Sequence, residues 1–410
     1  MTLAQAIALL LALAALAAYV NRRFVHWPAT IGMMAISLVA SLLLVLAARY
    51  TVLPTTRTLE EIRRIDFGTV VLDALLPYLL FAAALQVDLR HVKHQALPVA
   101  LLATFGVVLS ALVAGALVWG AAHAMGVPLA FAQALLFGAL IAPTDPVAVL
   151  GVLRGANAPA PLQALMAGES LFNDGVGIVV FLTLFGIVVR GEPVDPASIG
   201  LHLVREAGGG IAFGLALGWI GCRMLRSVDD YPLEIFLTLA LAAGGYAAAS
   251  ALHLSGPLTT VSTGIVIASL GRQGGMSEKT QRHLDDFWEL VDQMLNAVLF
   301  VLVGMQMVVV AHDVLHLALA ATAIVAVFAA RWLAVAGILG ALRPWRDIPR
   351  GAVIVLTWGG VRGAISISLA LALPAGALRD TIVTATYVVV AFSVIVQGLT
   401  LGRVARRYAA

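Results

Sequence analysis

Thirteen stretches of about twenty mostly apolar residues follow one another along this chain, joined by short connections marked with proline or glycine. No other feature limits the fold so sharply. A bilayer core about 30 Å thick takes about 20 helical residues to cross, and a chain inside lipid must satisfy its backbone groups within itself. The stretches run over 2–20, 28–48, 67–87, 96–122, 127–153, 161–189, 198–222, 231–252, 256–271, 287–311, 313–341, 350–373 and 381–402. Composition closes off the alternatives. Apolar residues make up 61% of the 410 positions and charged ones 11%, whereas a soluble domain carries about a quarter charged residues. Too few charges remain to cover a water-facing surface, and intrinsic disorder requires the opposite balance. A net charge of +3, spread over 25 basic and 22 acidic residues, excludes a nucleic-acid-binding face. Cys222 is the only cysteine, which excludes an internal disulfide framework and a multi-cysteine metal cluster. The expectation is an all-α polytopic membrane protein forming a single membrane domain over 1–410.

Loop charges set the orientation. Sixteen Lys and Arg residues fall in one set of alternate connections and at the C-terminus, among them Arg22, Arg23, Arg154, Arg223, Arg226, Arg343, Arg346, Arg403, Arg406 and Arg407. Seven fall in the other set. Basic residues mark the cytoplasmic side, so the C-terminus is expected in the cytoplasm and, with an odd number of spans, the N-terminus outside. The first stretch has no basic segment before it and is followed by Arg22-Arg23, so it reads as a retained span and not a cleaved signal. An odd count also allows the first six and last six helices to be inverted copies about the seventh. That repeat is an expectation from the count; the sequence carries no visible self-similarity.

An ionisable group at a helix centre costs about 2.5–3.5 kcal/mol on insertion scales, so each one needs a reason. The fifth stretch contains Ala142-Pro143-Thr144-Asp145-Pro146-Val147. Two prolines interrupt the helical ladder, and the freed carbonyls are tolerated at mid-membrane only where they face protein or a water-filled cavity. A kink capped by its own Thr and Asp and a cation site both fit this string. The sixth stretch contains Gly168-Glu169-Ser170-Leu171-Phe172-Asn173-Asp174-Gly175. With Asp174 at zero, Ser170 lies about 40°, Asn173 about 100° and Glu169 about 140° around the helix, so all four share one side. Two carboxylates, an amide and a hydroxyl are hard oxygen ligands suited to alkali cations and protons; the alternative is a polar network that only joins helices. Arg331 and Arg362 add buried positive charge, the latter in Gly359-Gly360-Val361-Arg362-Gly363-Ala364, where three glycines loosen a helix opposite the fifth stretch. The favoured role for both arginines is ion pairing and neutralisation of helix ends. Asp145, Glu169 and Asp174 outnumber them by one, and the surplus carboxylate is the natural binder of a mobile cation.

Other polar residues carry less. Asp73 is a lone acid in the third stretch. Asp285, Asp286, Glu289 and Asp292 fall where the tenth meets the cytoplasm, as a cation-attracting mouth or as ordinary helix-start acids. His26, His91, His94, His123, His312 and His316 fall at span ends and read as interfacial, and Cys222 reads as a small apolar residue.

Taken together, Ala142–Val147, Gly168–Gly175, the string from Phe287-Trp288-Glu289-Leu290-Val291-Asp292 to Leu295-Asn296-Ala297-Val298-Leu299-Phe300, and Gly359–Ala364 resemble the monovalent cation/proton antiporter family, in its NhaP and sodium/hydrogen-exchanger branch. The resemblance implies an inverted-repeat NhaA/NhaP-like antiporter fold with two broken, crossed helices. It implies a homodimer whose transport part is chiefly 67–189 and 287–402 and whose dimerisation part is chiefly 2–48 and 198–271. It implies that Asp174 binds cation and proton in turn, that Asp145, Thr144 and Ser170 help hold Na⁺ directly or through water, that Glu169 pairs with Arg331 beside Asn173, and that Arg362 neutralises the broken ends. One departure stands out. The family's acid in the Leu-Leu-Phe-Glu string is Ala82 here, so its role is absent or moved, with Asp73 as one candidate.

On this reading the chain is a secondary active antiporter of a prokaryotic inner membrane, exchanging Na⁺ for H⁺, with Li⁺ or K⁺ as further cargo. Electrogenic relatives have two adjacent acids where this chain has Asn173-Asp174, so exchange is expected to be electroneutral, one for one. No cofactor is expected beyond the transported ions. The rivals are a K⁺/H⁺ antiporter of the same fold and a passive cation channel. Enzymatic activity is not expected, since the sequence has no His-Glu-x-x-His and Ser170 has no Gly-x-Ser-x-Gly setting.

Overall fold

The structure, a computed structural model, describes residues 3–50, 70–86, 95–192, 196–271, 278–305, 314–346 and 348–408. Of the residues weighed above, His91, His94 and His312 lie outside these. All regular structure among the described residues is helical. The helices are α1 (Leu3–Val20), α2 (Ala29–Tyr50), α3 (Val70–Leu85), α4 (Ala96–Ala124), α5 (Phe131–Ile141), α6 (Pro146–Gly155), α7 (Ala160–Val189) and α8 (Pro196–Arg226), followed by α9 (Tyr231–Ala251), α10 (Gly256–Gly271), α11 (Glu278–Met305), α12 (Val314–Leu342), α13 (Ala352–Trp358), α14 (Ala364–Leu371) and α15 (Ala377–Tyr408). Each apolar stretch carries helix within its described residues, the fifth as α5 and α6 and the twelfth as α13 and α14. Among the described residues eight helices are long and apolar enough to cross a membrane, and this is a multi-pass membrane protein.

Small residues set how closely the helices approach. Along the α8–α10 contact, a Cβ on Gly210 would lie 2.7 Å from the Ser255 carbonyl oxygen. The same closeness lets Thr259 Oγ1 donate to the Gly210 carbonyl (3.0 Å) and Thr263 Oγ1 to that of Gly214 (3.1 Å). In lipid, where apolar burial does not drive helices together, such packing and hydroxyl bonds do. The helices α4, α7, α12 and α15 form a second packed group around the two short-helix pairs, with α5 against α4 and α7. Meanwhile α3 lies along α10, and α11 lies along α2 with further contacts to α1, α3 and α9.

The largest departure from the sequence boundaries is at α11. It starts at Glu278, nine residues before the expected 287, because Glu278–Asp286 is too polar for an apolar-window rule to see. Asp292, expected at the cytoplasmic margin, is therefore the fifteenth of 28 residues in this helix and half-buried.

Candidate functional site

Two interruptions face each other in the middle of the fold. In the first, α5 ends at Ile141 and α6 begins at Pro146, since Pro143 and Pro146 withhold two backbone donors. In the second, α13 stops at Trp358 and α14 starts at Ala364, across Gly359, Gly360 and Gly363. The two breaks are tied directly: the Asp145 amide donates to the Val361 carbonyl at 2.7 Å. A Cβ on Gly363 would sit 2.7 Å from Asp145 Oδ2, so only glycine permits this approach. Arg362 spans the gap, its Nη1 donating to the carbonyls of Ala142 and Pro143, the oxygens freed at the end of α5. Its own amide donates to Ser393 Oγ (2.7 Å), carried on a π-helical turn at Ser393–Gln397 of α15.

Helix α7 runs beside the first break and buries Glu169, Ser170, Asn173 and Asp174, each 3% exposed or less. Arg331 of α12 grips Glu169 with both fork nitrogens, Nη1 to Oε1 at 2.8 Å and Nη2 to Oε2 at 2.7 Å. Asn173 Nδ2 donates to the same Oε1 (2.7 Å) and to Thr144 Oγ1 (2.7 Å), and its Oδ1 accepts from the Thr144 amide at 3.3 Å. Thr144 Oγ1 also shares a hydrogen bond with Ser170 Oγ at 2.9 Å. This network positions the first break: one turn of α7 holds Thr144 by backbone and side chain, while Arg331 holds that turn.

Between the breaks, α3, α7 and α11 lies a cavity of about 550 Å³, counting its open mouth. Apolar residues line most of it, with Thr144, Asp145, Asp174, Asn296 and Ser366 as its polar lining. Asp174 is 3% exposed, and among the described residues no group donates a hydrogen bond to its carboxylate or forms an ion pair with it. Five residues singled out in the sequence, Arg331 among them, are thus placed elsewhere than the cavity wall. Ser170 lies behind Thr144; Glu169 and Asn173 are committed to Arg331 and Thr144; Arg362 is committed to backbone oxygens. Asp73 is exposed on the opening π-helical turn of α3 and does not line the cavity. Ala82 is fully buried in a cluster with Phe81, Leu85 and Trp288.

Two cavity residues carried no role in the sequence reading. Asn296 Nδ2 donates to Asp292 Oδ1 (2.9 Å) and to the Asp292 carbonyl (2.8 Å), which turns its amide oxygen away from that acid. The i, i+4 spacing of Asp292 and Asn296 was the available signal. Ser366 sits in Ala364-Ile365-Ser366-Ile367-Ser368, where two serines in an apolar helix look alike.

This geometry has relatives. The family model for the transmembrane sodium/hydrogen exchanger matches residues 6–407. The Na(+)/H(+) antiporter NhaP of Pseudomonas aeruginosa is 44% identical over 407 residues, 98% of this chain and 96% of that one. The Na(+)/H(+) antiporter NhaH of Halobacillus aidingensis is 34% identical over 351 residues, 83% of each chain. The structure of the sodium proton antiporter MjNhaP1 from Methanocaldococcus jannaschii at pH 8 superposes with a TM-score of 0.75 at 19% identity, over 98% of this chain and 97% of that one, so the fold is shared. A match along nearly the whole length, with the two breaks and α7 in place, means that the chain belongs to the transmembrane sodium/hydrogen exchanger family.

Proposed function

We propose that this protein is a secondary active antiporter that moves Na⁺ and H⁺ in opposite directions by alternating access, and that Asp174 is where the two compete. The observation that carries this reading is the Asp174 carboxylate: buried, on the wall of a cavity between two broken helices, with no donor or cation from the described residues bound to it. A carboxylate in that setting requires a proton or a cation, and it holds one at a time. Competition at a single group couples the fluxes if the carrier changes state only when the group is occupied. Asp145 shares the wall and adds the second charge; Thr144 presents its remaining oxygen capacity and its backbone; Ser170 and Asn173 act by holding Thr144. Glu169, Arg331 and Arg362 hold the breaks in register. Both bind no cargo.

The named relatives, antiporters of Na⁺ and H⁺, support the cargo assignment. By the positive-inside rule the C-terminus is cytoplasmic and the N-terminus outside, in the inner membrane of a prokaryotic cell. The protein acts without a resident cofactor and is not an enzyme. It works as a homodimer. The moving part is chiefly 67–189 and 287–402, built on α3–α7 and α11–α15, and the dimerising part chiefly 2–48 and 198–271, built on α1, α2 and α8–α10.

The test is transport by purified protein in proteoliposomes. An imposed proton gradient is expected to drive Na⁺ uphill, which a passive channel cannot do, and Asp174→Asn is expected to abolish this while leaving the folded protein intact. Exchange retained by well-folded Asp174→Asn would remove the assignment. Repeating the measurement with Li⁺ and K⁺ ranks the cargo.

A further inference from the structure

We propose that Ser366 is a direct ligand of the transported cation, supplying from the second broken helix a neutral oxygen to an ion held by the two acids. This rests on the antiporter reading above. Ser366 is the third residue of α14, is 1% exposed, and lines the cavity together with Asp145, Asp174 and Asn296. Among the described residues its Oγ has no hydrogen-bond partner. Buried hydroxyls are nearly always bonded, and one left open beside a cavity that carries two acids calls for a ligand.

The neighbouring serine is the internal control. Ser368 Oγ donates back to the Ala364 carbonyl at 3.0 Å, the usual recourse of a serine inside a helix. Ser366 is placed differently, because four residues before it the chain is still in the break, at Arg362. Its hydroxyl therefore lacks the helical carbonyl that satisfies Ser368. Thr144, the other hydroxyl on the wall, is largely used up: Oγ1 accepts from Asn173 and shares a bond with Ser170, which leaves at most one lone pair. Ser366 keeps both lone pairs and its proton. A small alkali cation stripped of water between Asp145 and Asp174 needs several further hard oxygens, and Ser366 offers one from α14. Because Ser366 belongs to one broken helix and Asp145 to the other, the ion would draw together the two elements whose relative position must change in a transport cycle.

Three variants in proteoliposomes test this, with Na⁺- and Li⁺-dependent proton exchange as one readout and Na⁺-dependent thermal stabilisation of the detergent-solubilised dimer as the other. Ser366→Ala is expected to raise the apparent KM for Na⁺ about five- to tenfold with kcat within about twofold, and to change the Li⁺/Na⁺ ratio of KM values. Ser366→Cys keeps nearly the same shape but offers a soft sulfur, and is expected to behave like Ser366→Ala. Ser366→Thr keeps the hydroxyl and is expected to restore the wild-type KM. Stabilisation by Na⁺ should weaken in Ser366→Ala and Ser366→Cys and persist in Ser366→Thr. Wild-type KM and ion ratio in Ser366→Ala and Ser366→Cys would overturn the ligand role while leaving Asp174 untouched. A wild-type protein that couples no Na⁺ to protons would overturn the antiporter reading, and this inference with it.

Discussion

Removing Glu169 should cost far more stability than removing the arginine that holds it. Arg331 and Glu169 form a bidentate pair at 2.7–2.8 Å, with side chains 4% and 0% exposed. Breaking such a pair from one side costs about 3–5 kcal/mol, mostly because a charge is left buried without its partner. The two sides are unequal here. In Glu169→Ala the guanidinium keeps only the Leu356 carbonyl, a 3.3 Å bond to Nε, and arginine cannot shed its charge. The upper end, about 5 kcal/mol, is expected. In Arg331→Ala the carboxylate still accepts from Asn173 at 2.7 Å and can neutralise itself by taking a proton, so about 3 kcal/mol is expected at neutral pH. The sign of the pH effect follows. Acid supplies that proton, so the Arg331→Ala deficit should shrink as pH falls, whereas the Glu169→Ala deficit should not. The double variant strands neither charge and should be more stable than Glu169→Ala alone, with a coupling energy of about 2–3 kcal/mol. Unfolding of purified protein by SDS in mixed micelles, followed by tryptophan fluorescence at several pH values, gives all four corners of the cycle. Additive losses, or equal pH dependence of the two single variants, would refute the argument.

Other expectations follow from the same geometry. Because cation and proton compete for Asp174, the apparent KM for Na⁺ should rise as the pH of the cation-binding side falls, by up to about tenfold per pH unit in the competitive range; a pH-independent KM would contradict competition. Because Asn173 carries no proton and only Asp174 changes occupancy, exchange should be electroneutral, and clamping the vesicle potential with K⁺ and valinomycin should leave the Na⁺ distribution unchanged. Gly363→Ala should cost about 1–3 kcal/mol and suppress transport, since its Cβ would sit 2.7 Å from Asp145 Oδ2, and normal exchange by this variant would mean the two breaks are not held as close as described.

What the sequence disclosed and what it withheld divide along a physical line. Apolar runs long enough to cross lipid were legible at every span because hydropathy is summed over about twenty residues, and an error at one position is averaged away. The breaks were legible because proline and glycine act on their own backbone, at Pro143 and Pro146 and at Gly359, Gly360 and Gly363. The acids stood out because each is costly in a membrane whatever surrounds it. The start of α11 at Glu278 was missed because a polar helical turn looks like a loop to a window tuned for apolar residues.

The neutral polar residues of the cavity were hidden for a different reason. Ser366 and Ser368 are two residues apart, with the same flanking isoleucine between them, and their composition cannot tell them apart. They differ only in what lies four residues before each: Ala364 is inside α14 and offers a carbonyl to Ser368, while Arg362 is in the break. Asn296 is similar, since its oxygen is available only because Asp292, one turn earlier, holds its amide nitrogen. A charge declares itself by its cost, but a hydroxyl or an amide in a membrane helix is cheap when its own helix satisfies it. Such a residue becomes informative only when the helix fails to do so, and the place to look for it is the first turn after a break, where the preceding carbonyls are turned to other partners. In this chain that rule selects Ser366 over Ser368, and it selects it before any ion is placed in the cavity.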